Sequence, residues 1–299
     1  LKDTPDAPTL PDNPTPEQQQ KGIEAALELA YAQRPARDQV VADARVALDR
    51  ATEFVRAKHL VTLPDAPVEI IEMPEFQRGV AVAYCDSPGP LDKGLDTYYA
   101  ISPIPDDWSS AQVDSFLREY NNRMLHLLSI HEAMPGHYLE GVHSAKHPST
   151  LRAVLRSGPF AEGWAVYTED TMADAGYLDN DPLFRLVQLK FYLRAVANSI
   201  LDQGVHVDNW SKEQAMDLMV NKTFQQEREA DGKWKRAQLT STQLATYFVG
   251  AQEHFDMRKA VEAKQGAGFS AKAYHDKVLS YGAPPVRFVR QLMLDEPIS

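Results

Sequence analysis

The stretch His131-Glu132-Ala133-Met134-Pro135-Gly136-His137 interrupts a long helical pattern with a proline and a glycine, and two histidines and a glutamate accompany the interruption. Histidines four residues apart on one helical face bind Zn²⁺ in zincins, and the glutamate between them activates water. Here the histidines stand six residues apart, which separates them by about 120° on a regular helix. Pro135 removes a backbone N–H and crowds the preceding turn, while Gly136 permits unusual dihedral angles. The sequence therefore predicts that His131 and His137 are metal ligands on either side of a distortion.

A following helical segment, Ala161-Glu162-Gly163-Trp164-Ala165-Val166-Tyr167-Thr168-Glu169, carries two carboxylates seven residues apart. This spacing places both on nearly the same side of a helix. A catalytic zinc takes three protein ligands and leaves a fourth position for water. Glu162 is the predicted third ligand. The alternative is that Glu162 is an acidic residue at a helix N-terminus, where the helix dipole favours negative charge. Glu169 is predicted to orient a ligand imidazole, with a solvated acid on the helix surface as the alternative.

Composition limits the class of protein. With 43% apolar residues among 299, the chain can bury a large core in one large domain or two modest ones. It has no run of about 18 apolar residues and does not begin with a signal peptide, so a soluble protein without a membrane span is predicted. The formal net charge of −11 argues against nucleic acid or an anionic membrane as the main partner. Cytoplasmic and exported locations both stay open.

Cysteine usage limits the ligands that a metal site can draw on. Cys85 is the single cysteine of the chain, so an internal disulfide is excluded. A thiolate-rich zinc site is excluded for the same reason, which leaves histidines and carboxylates.

The chain is predicted to form an extended arm followed by one mainly helical domain of the α+β class. Residues 1–16 hold five prolines and form the arm, and residues 17–299 form the domain. Strands at 68–72, 79–84 and 97–101 are predicted to form a small sheet within residues 65–105. In many zincins an edge strand holds a peptide substrate, and structural packing is the alternative role here. Helices are predicted at 16–32, 35–58, 109–131, 182–203, 211–229, 239–264, 270–280 and 286–294, with others beginning at 148 and 162.

The motif of residues 131–137, together with Glu162-Gly163-Trp164-Ala165 and Tyr167-Thr168-Glu169, resembles the bacterial family called domain of unknown function 885. Three later stretches are similar to blocks of that family: Asp202-Gln203-Gly204-Val205-His206 with Trp210, Gln243-Leu244-Ala245-Thr246-Tyr247 with Gly250, and Tyr274-His275-Asp276-Lys277-Val278-Leu279. The resemblance runs from about residue 50 to 295. Members of the family are usually longer, which implies that this chain is the C-terminal portion of a longer protein and that the missing N-terminal segment is a candidate partner.

The resemblance implies a zinc metallopeptidase of the gluzincin type, with His131, His137 and Glu162 as ligands and Glu132 as general base. The sequence departs from the family at Tyr138-Leu139-Glu140, where His-Leu-Gln is common. This departure makes Glu140 a rival third ligand, because it lies three residues after His137 on a helix.

A second departure lies close to a candidate catalytic tyrosine. Ser241-Thr242 replace the usual Pro-Gly of the family. The replacement alters the local turn that would aim Tyr247.

The predicted function is hydrolysis of a peptide or small amide. In this hypothesis Zn²⁺ lowers the pKa of its water toward ~7, Glu132 takes the proton, and the hydroxide attacks a polarised carbonyl. Glu132 then passes the proton to the leaving amine. Tyr247 or His206 is the candidate donor to the oxyanion. The alternative for Tyr247 is a packing role in the core, and the alternative for His206 is capping of a helix end. Arg194 is a candidate for binding a substrate carboxylate, with a structural ion pair as the alternative.

Two other classes of function stay open. The abnormal histidine spacing also suits a helical binding protein with a structural or degenerate metal site. The third possibility is an incomplete fragment that needs its upstream segment to form a substrate cleft.

Overall fold

The computed structural model describes residues 4–65, 68–78, 81–89, 91–92 and 94–297. The helices in this part are α1 (Pro16–Tyr31), α2 (Val40–Lys58), α3 (Ser110–Glu119), α4 (Asn122–Glu132), α5 (His137–Ser144), α6 (Thr150–Val154), α7 (Gly158–Asp174), α8 (Pro182–His206), α9 (Lys212–Met216), α10 (Glu227–Leu239), α11 (Thr246–Gln265), α12 (Ala271–Leu279) and α13 (Val286–Leu294). The strands are β1 (Glu69–Glu72), β2 (Ala83–Asp86) and β3 (Tyr98–Ile101). The predicted mainly helical fold with a small sheet is confirmed.

The first helix begins where the sequence predicts it. The Thr15 hydroxyl accepts the Gln18 N–H and the Gln18 side chain reaches back to the Thr15 N–H, which forms a capping box. Pro16 occupies the first helical position, where a missing N–H costs nothing. Of the predicted arm, residues 4–14 form no helix or strand, and residues 1–3 lie outside the described part.

The small sheet has the strand order β1-β3-β2, with β1 parallel and β2 antiparallel to β3. Strand β3 is the central strand, and its residues Tyr99, Ala100 and Ile101 are fully buried. The second strand lies later in the chain than the predicted 79–84, and Gly79 and Val80 fall outside the described residues. Strand β2 packs against α4, so the sheet lies beside the helix that carries the histidine motif.

The predicted single helix over 109–131 is wrong, because two helices, α3 and α4, cover this region. Helix α3 ends just before Tyr120, and the Asn121 side chain accepts hydrogen bonds from the N–H groups of Arg123 and Met124 at the start of α4. Asparagine favours this capping position over a helix interior. Helix α4 then runs through the core, packed against α2, α7 and α8.

Other boundaries also differ from those predicted. Helix α7 begins at Gly158, so Glu162 lies in its second turn rather than at its start. Over the predicted 211–229 the chain forms α9, a π-helical turn at Asp217–Lys222 and only the start of α10. The remainder of α10, to Leu239, lies mostly in a stretch for which no helix was predicted. Helix α10 begins after Gln226, whose backbone N–H donates to the buried Glu119 carboxylate 3.0 Å away. Of the described helices, none combines the length and apolar character needed to cross a bilayer.

Helices α7 and α11 cross at two glycines. A Cβ atom on Gly163 would overlap the backbone of Gly250, and one on Gly250 would overlap the carbonyl of Pro159. Only glycine permits backbones to approach this closely. The crossing brings the N-terminal half of α7, which carries Glu162, against the first turns of α11, which carry Tyr247.

Candidate metal centre

The two histidines of the motif belong to different helices. Helix α4 ends at Glu132, the Met134–Pro135 peptide bond is cis, and α5 begins at His137. The Gly136 N–H donates to the Ile130 carbonyl 2.9 Å away. A Cβ atom on Gly136 would overlap this carbonyl oxygen and that of His131, so the turn requires glycine.

This turn brings the imidazoles together. The ring centroids of His131 and His137 lie 4.8 Å apart, and the rings are perpendicular. The predicted distortion between the two histidines is therefore present, and both side chains face a common point.

Glu162 completes a group of three possible ligands. Its Oε2 lies 3.2 Å from His137 Nε2 and 3.7 Å from His131 Nε2. The three ligand atoms all lie within 4.8 Å of one another. The indole N–H of Trp164 donates to the Pro135 carbonyl 2.9 Å away, which ties α7 to the turn between the histidines.

The donor set suits a zinc ion. Glu162 Oε1 accepts a hydrogen bond from Gln243 Nε2 at 2.9 Å, whereas the buried Oε2 accepts none. A buried carboxylate oxygen without a donor is costly unless a cation compensates for it. Burial opposes ionisation of Glu162, but attraction by the adjacent His131 and His137 rings prevails and lowers its pKa. Two imidazoles and one carboxylate are a ligand set of catalytic zinc sites.

Glu169 fixes the orientation of His131. Its Oε1 lies 2.6 Å from His131 Nδ1, so Nδ1 carries the proton and Nε2 faces Glu162. Glu169 is fully buried, which excludes the alternative of a solvated acid. Burial lowers the pKa of His131, but the neighbouring Glu162 and Glu169 carboxylates outweigh it and raise the value to about 10.

Glu132 lies at the wall of a cavity of about 480 Å³, a volume typical of small-molecule sites. The cavity is also lined by His131, by Ala83 of β2 and by side chains of α8, α10 and α11. Burial raises the pKa of the Glu132 carboxyl, while the nearby His131 and His137 lower it. The backbone of Cys85 in β2 also lowers the pKa of this carboxyl.

Tyr247 lies at the start of α11, not in mid-helix. Its ring is stacked against His131 with the centroids 6.3 Å apart, and it lines the cavity. Its hydroxyl accepts a hydrogen bond from Arg236 Nη2 at 2.9 Å. Burial raises the pKa of Tyr247, so the phenol stays protonated and its hydrogen is free to donate elsewhere.

The remaining candidates lie apart from the cluster. Glu140, the rival ligand, accepts a hydrogen bond from Ser144 at 2.6 Å and pairs with Arg156 at 2.5 Å. The structure therefore groups Glu162, and not Glu140, with the two histidines.

His206 occupies a helix end. Its Nε2 lies 2.9 Å from the Ala237 carbonyl and 2.7 Å from the Thr240 carbonyl, and the ring does not line the cavity beside Glu132. This placement matches the capping alternative and leaves His206 without access to a substrate carbonyl there.

Arg194 lines the cavity but its guanidinium is engaged by protein carboxylates. It pairs with Glu229 and lies 3.6 Å from Glu119. Arg194 therefore forms the structural ion pair that the sequence analysis gave as its alternative role.

Two residues at the site received no role from the sequence. Gln243 donates to Glu162, and Arg236 donates to Tyr247. The family resemblance includes the Gln243–Tyr247 block, which was the one available indication for Gln243. Nothing local marks Arg236, because it reaches the site only when α10 packs near the start of α11.

The family of bacterial proteins of unknown function named DUF885 matches residues 16–293. The chain belongs to DUF885. This DUF885 chain is similar to a candidate lipoprotein of unknown function from Shewanella oneidensis, with 40% identity and a TM-score of 0.83 over 95% of this chain and 50% of that one. A candidate lipoprotein from Colwellia psychrerythraea shares the fold, at 23% identity and a TM-score of 0.79 over 92% of this chain and 46% of that one.

The DUF885 chain thus spans about half the length of these two structures. No curated protein matches it. The family and the shared fold are therefore established, whereas neither neighbour supplies a function.

Proposed function

We propose that this DUF885 chain is a zinc-dependent hydrolase of peptide or small amide bonds, similar in its ligand set to gluzincin metallopeptidases. The observation that carries the proposal is the convergence of His131, His137 and Glu162, whose ligand atoms lie within 4.8 Å of one another beside a cavity. These three residues would hold the ion. When bound, Zn²⁺ would polarise a substrate carbonyl and make a water molecule more acidic.

Glu132 is the proposed general base. It follows the ligand His131 directly, borders the cavity, and has a pKa raised by burial. A carboxylate in such a position can accept a proton from water and return it to the leaving amine.

Tyr247 is the proposed donor to the developing oxyanion. Arg236 donates to the phenol oxygen, so the phenol hydrogen is available for a substrate oxygen in the cavity. Such a donor contributes most where it is held in place before the reaction, as the stacked ring of Tyr247 is against His131.

The test uses the purified chain, zinc at one equivalent, and a mixed peptide library read by mass spectrometry. Glu132→Gln should lower the rate of cleavage by about 10²-fold or more, while elemental analysis still finds one zinc per chain. Glu140→Gln, which alters a buried carboxylate outside the cluster, is the control and should cleave as the wild type does. Zinc binding without turnover in the wild type would instead favour a binding protein with a structural metal site.

We also propose that the protein to which the chain belongs is exported, since the relative that is 40% identical is described as a candidate lipoprotein. Fractionation of cells that express the tagged full-length protein tests this. Recovery in the cytoplasmic fraction alone would contradict it.

A further inference from the structure

The cavity wall formed by α8 and α10 carries an excess of positive charge. Arg194, Arg228, Lys233 and Arg236 line this wall, and Arg228 lies 3.9 Å from Asp231 on the same helix. The carboxylates of Glu119, which belongs to α3, and Glu229 line the cavity beside them. Each carboxylate is already engaged by more than one cation, which leaves one lining cation without an ionic partner.

Glu119 and Glu229 are shared by three cationic residues. Lys190 Nζ lies 2.6 Å from Glu119, and Arg194 lies 3.6 Å from the same carboxylate. Arg194 also pairs with Glu229, and Lys233 lies 3.5 Å from Glu229. Burial lowers the pKa of Lys233 to about 7, and repulsion from Arg194 contributes, as expected where positive charge is incompletely compensated.

Arg236 is the cation without an ionic partner. In the part of the chain that the structure describes, no carboxylate lies within ion-pair distance of its guanidinium. One of its nitrogens, Nη2, donates to Tyr247, whose ring stacks against His131. The guanidinium therefore borders the cavity one side chain away from the candidate metal centre.

We infer that Arg236 binds a carboxylate of the substrate, so that the cavity selects anionic peptides or amides. A guanidinium presents several N–H donors in a planar fork that matches a carboxylate. The carboxylate has two sources, the C-terminus of a short peptide and an Asp or Glu side chain. This inference rests on the proposed function for the reaction itself, but the binding of an anionic peptide can be measured without any reaction.

The test measures peptide binding by calorimetry to the zinc-loaded Glu132→Gln protein, which holds the ligand without cleaving it. One pair of probes is acetyl-Ala-Ala-Ala as the free acid and as the C-terminal amide. The second pair is acetyl-Ala-Glu-Ala amide and acetyl-Ala-Gln-Ala amide. We expect the anionic member of at least one pair to bind at least about 10-fold more tightly than its neutral counterpart. The pair that shows the difference identifies the source of the carboxylate.

Substitutions assign this preference to Arg236. Arg236→Gln in the same background should remove the preference, while Arg236→Lys should keep part of it. Lys235→Gln, on the same helix and paired with Asp231 outside the cavity, is the matched control and should retain the preference. Circular dichroism compares the folding of the variants.

Equal binding of charged and neutral peptides, no binding of any peptide, or a preference that survives in Arg236→Gln would overturn the inference. The last result would show that the carboxylate binds the metal or another group. Failure of the proposed function would give a different result. The wild type would then bind the anionic peptide selectively but cleave none of the peptides.

Discussion

His131 Nδ1 and Glu169 Oε1 lie 2.6 Å apart, and the acid is fully buried. The imidazole is thus held with Nε2 facing Glu162 and the proposed metal position. Glu169→Ala removes this restraint, so we expect the affinity for Zn²⁺ to fall about 10- to 100-fold. Glu169→Gln keeps an acceptor oxygen for the Nδ1 proton and should lose less. Calorimetric titration of the metal-free protein with zinc measures both, and equal affinities of Glu169→Ala and wild type would refute the restraint.

The identity of the third ligand can be decided by metal content. Glu162→Ala removes the carboxylate between the two imidazoles and should reduce zinc to well below one equivalent after dialysis. Glu140→Gln alters a carboxylate that is already engaged by Ser144 and Arg156, and should keep full occupancy. Elemental analysis of both proteins gives the answer. The reverse result would transfer the ligand role to Glu140.

Removal of one hydroxyl tests Tyr247. Tyr247→Phe keeps the ring that stacks on His131 but deletes the proposed donor to the oxyanion. We expect kcat on a cleaved peptide to fall about 10²-fold with KM and zinc content little changed. Tyr192→Phe, which removes a hydroxyl bonded to Gln252 and outside the cavity lining, is the control. An unchanged kcat in Tyr247→Phe would exclude the tyrosine from catalysis.

The glycine crossing predicts opposite effects of the same substitution at two helical positions. Gly163→Ala places a methyl group into the backbone of Gly250 and should destabilise the fold by about 1–3 kcal/mol or more. Gly232→Ala meets nothing within 4 Å inside α10 and should be neutral or stabilising by up to about 1 kcal/mol. Urea denaturation followed by circular dichroism compares them. Similar stabilities of the two variants would contradict the close approach.

Acid sensitivity should arise in part from a partly buried neutral histidine. Burial, aided by Arg50 and Arg123, lowers the pKa of His126 to about 4 from 6.5. The unfolded chain then binds a proton that the folded chain does not, so stability falls as the pH decreases from 6.5 toward 4.

This linkage predicts a measurable difference between variants. Between pH 7 and pH 5.5 the metal-free His126→Gln protein should lose about 1 kcal/mol less unfolding free energy than the wild type. The exposed His59→Gln serves as control and should follow the wild type. Parallel pH profiles for wild type and His126→Gln would show that the ring binds its proton equally well in the folded and the unfolded chain.

Local patterns were sufficient for most of the helices and for the grouping of His131, His137 and Glu162. The spacing of His131 and His137 around Pro135 predicted a turn that reunites the imidazoles, and α13 has the bounds that its sequence predicts. The break at Asn121 escaped prediction because asparagine within a polar helix face resembles an ordinary surface residue. The start of α10 depends on Glu119, more than one hundred residues earlier, which accepts the Gln226 N–H.

The cationic wall of the cavity escaped prediction for a related reason. Arg236 and Tyr247 lie in separate helices, and only the tertiary packing brings the guanidinium to the phenol. Long-range contacts of this kind leave no periodic mark in a sequence.

The contact of Gly163 with Gly250 couples two parts of the site mechanically. Glu162 precedes one glycine by a single residue, and Tyr247 precedes the other by three residues. The positions of the proposed metal ligand and of the phenol therefore both depend on this one backbone contact. A side chain inserted there would displace both at once. Efforts to change substrate selectivity would therefore do better to vary α10, where changes at Arg236 leave the contact of Gly163 with Gly250 intact.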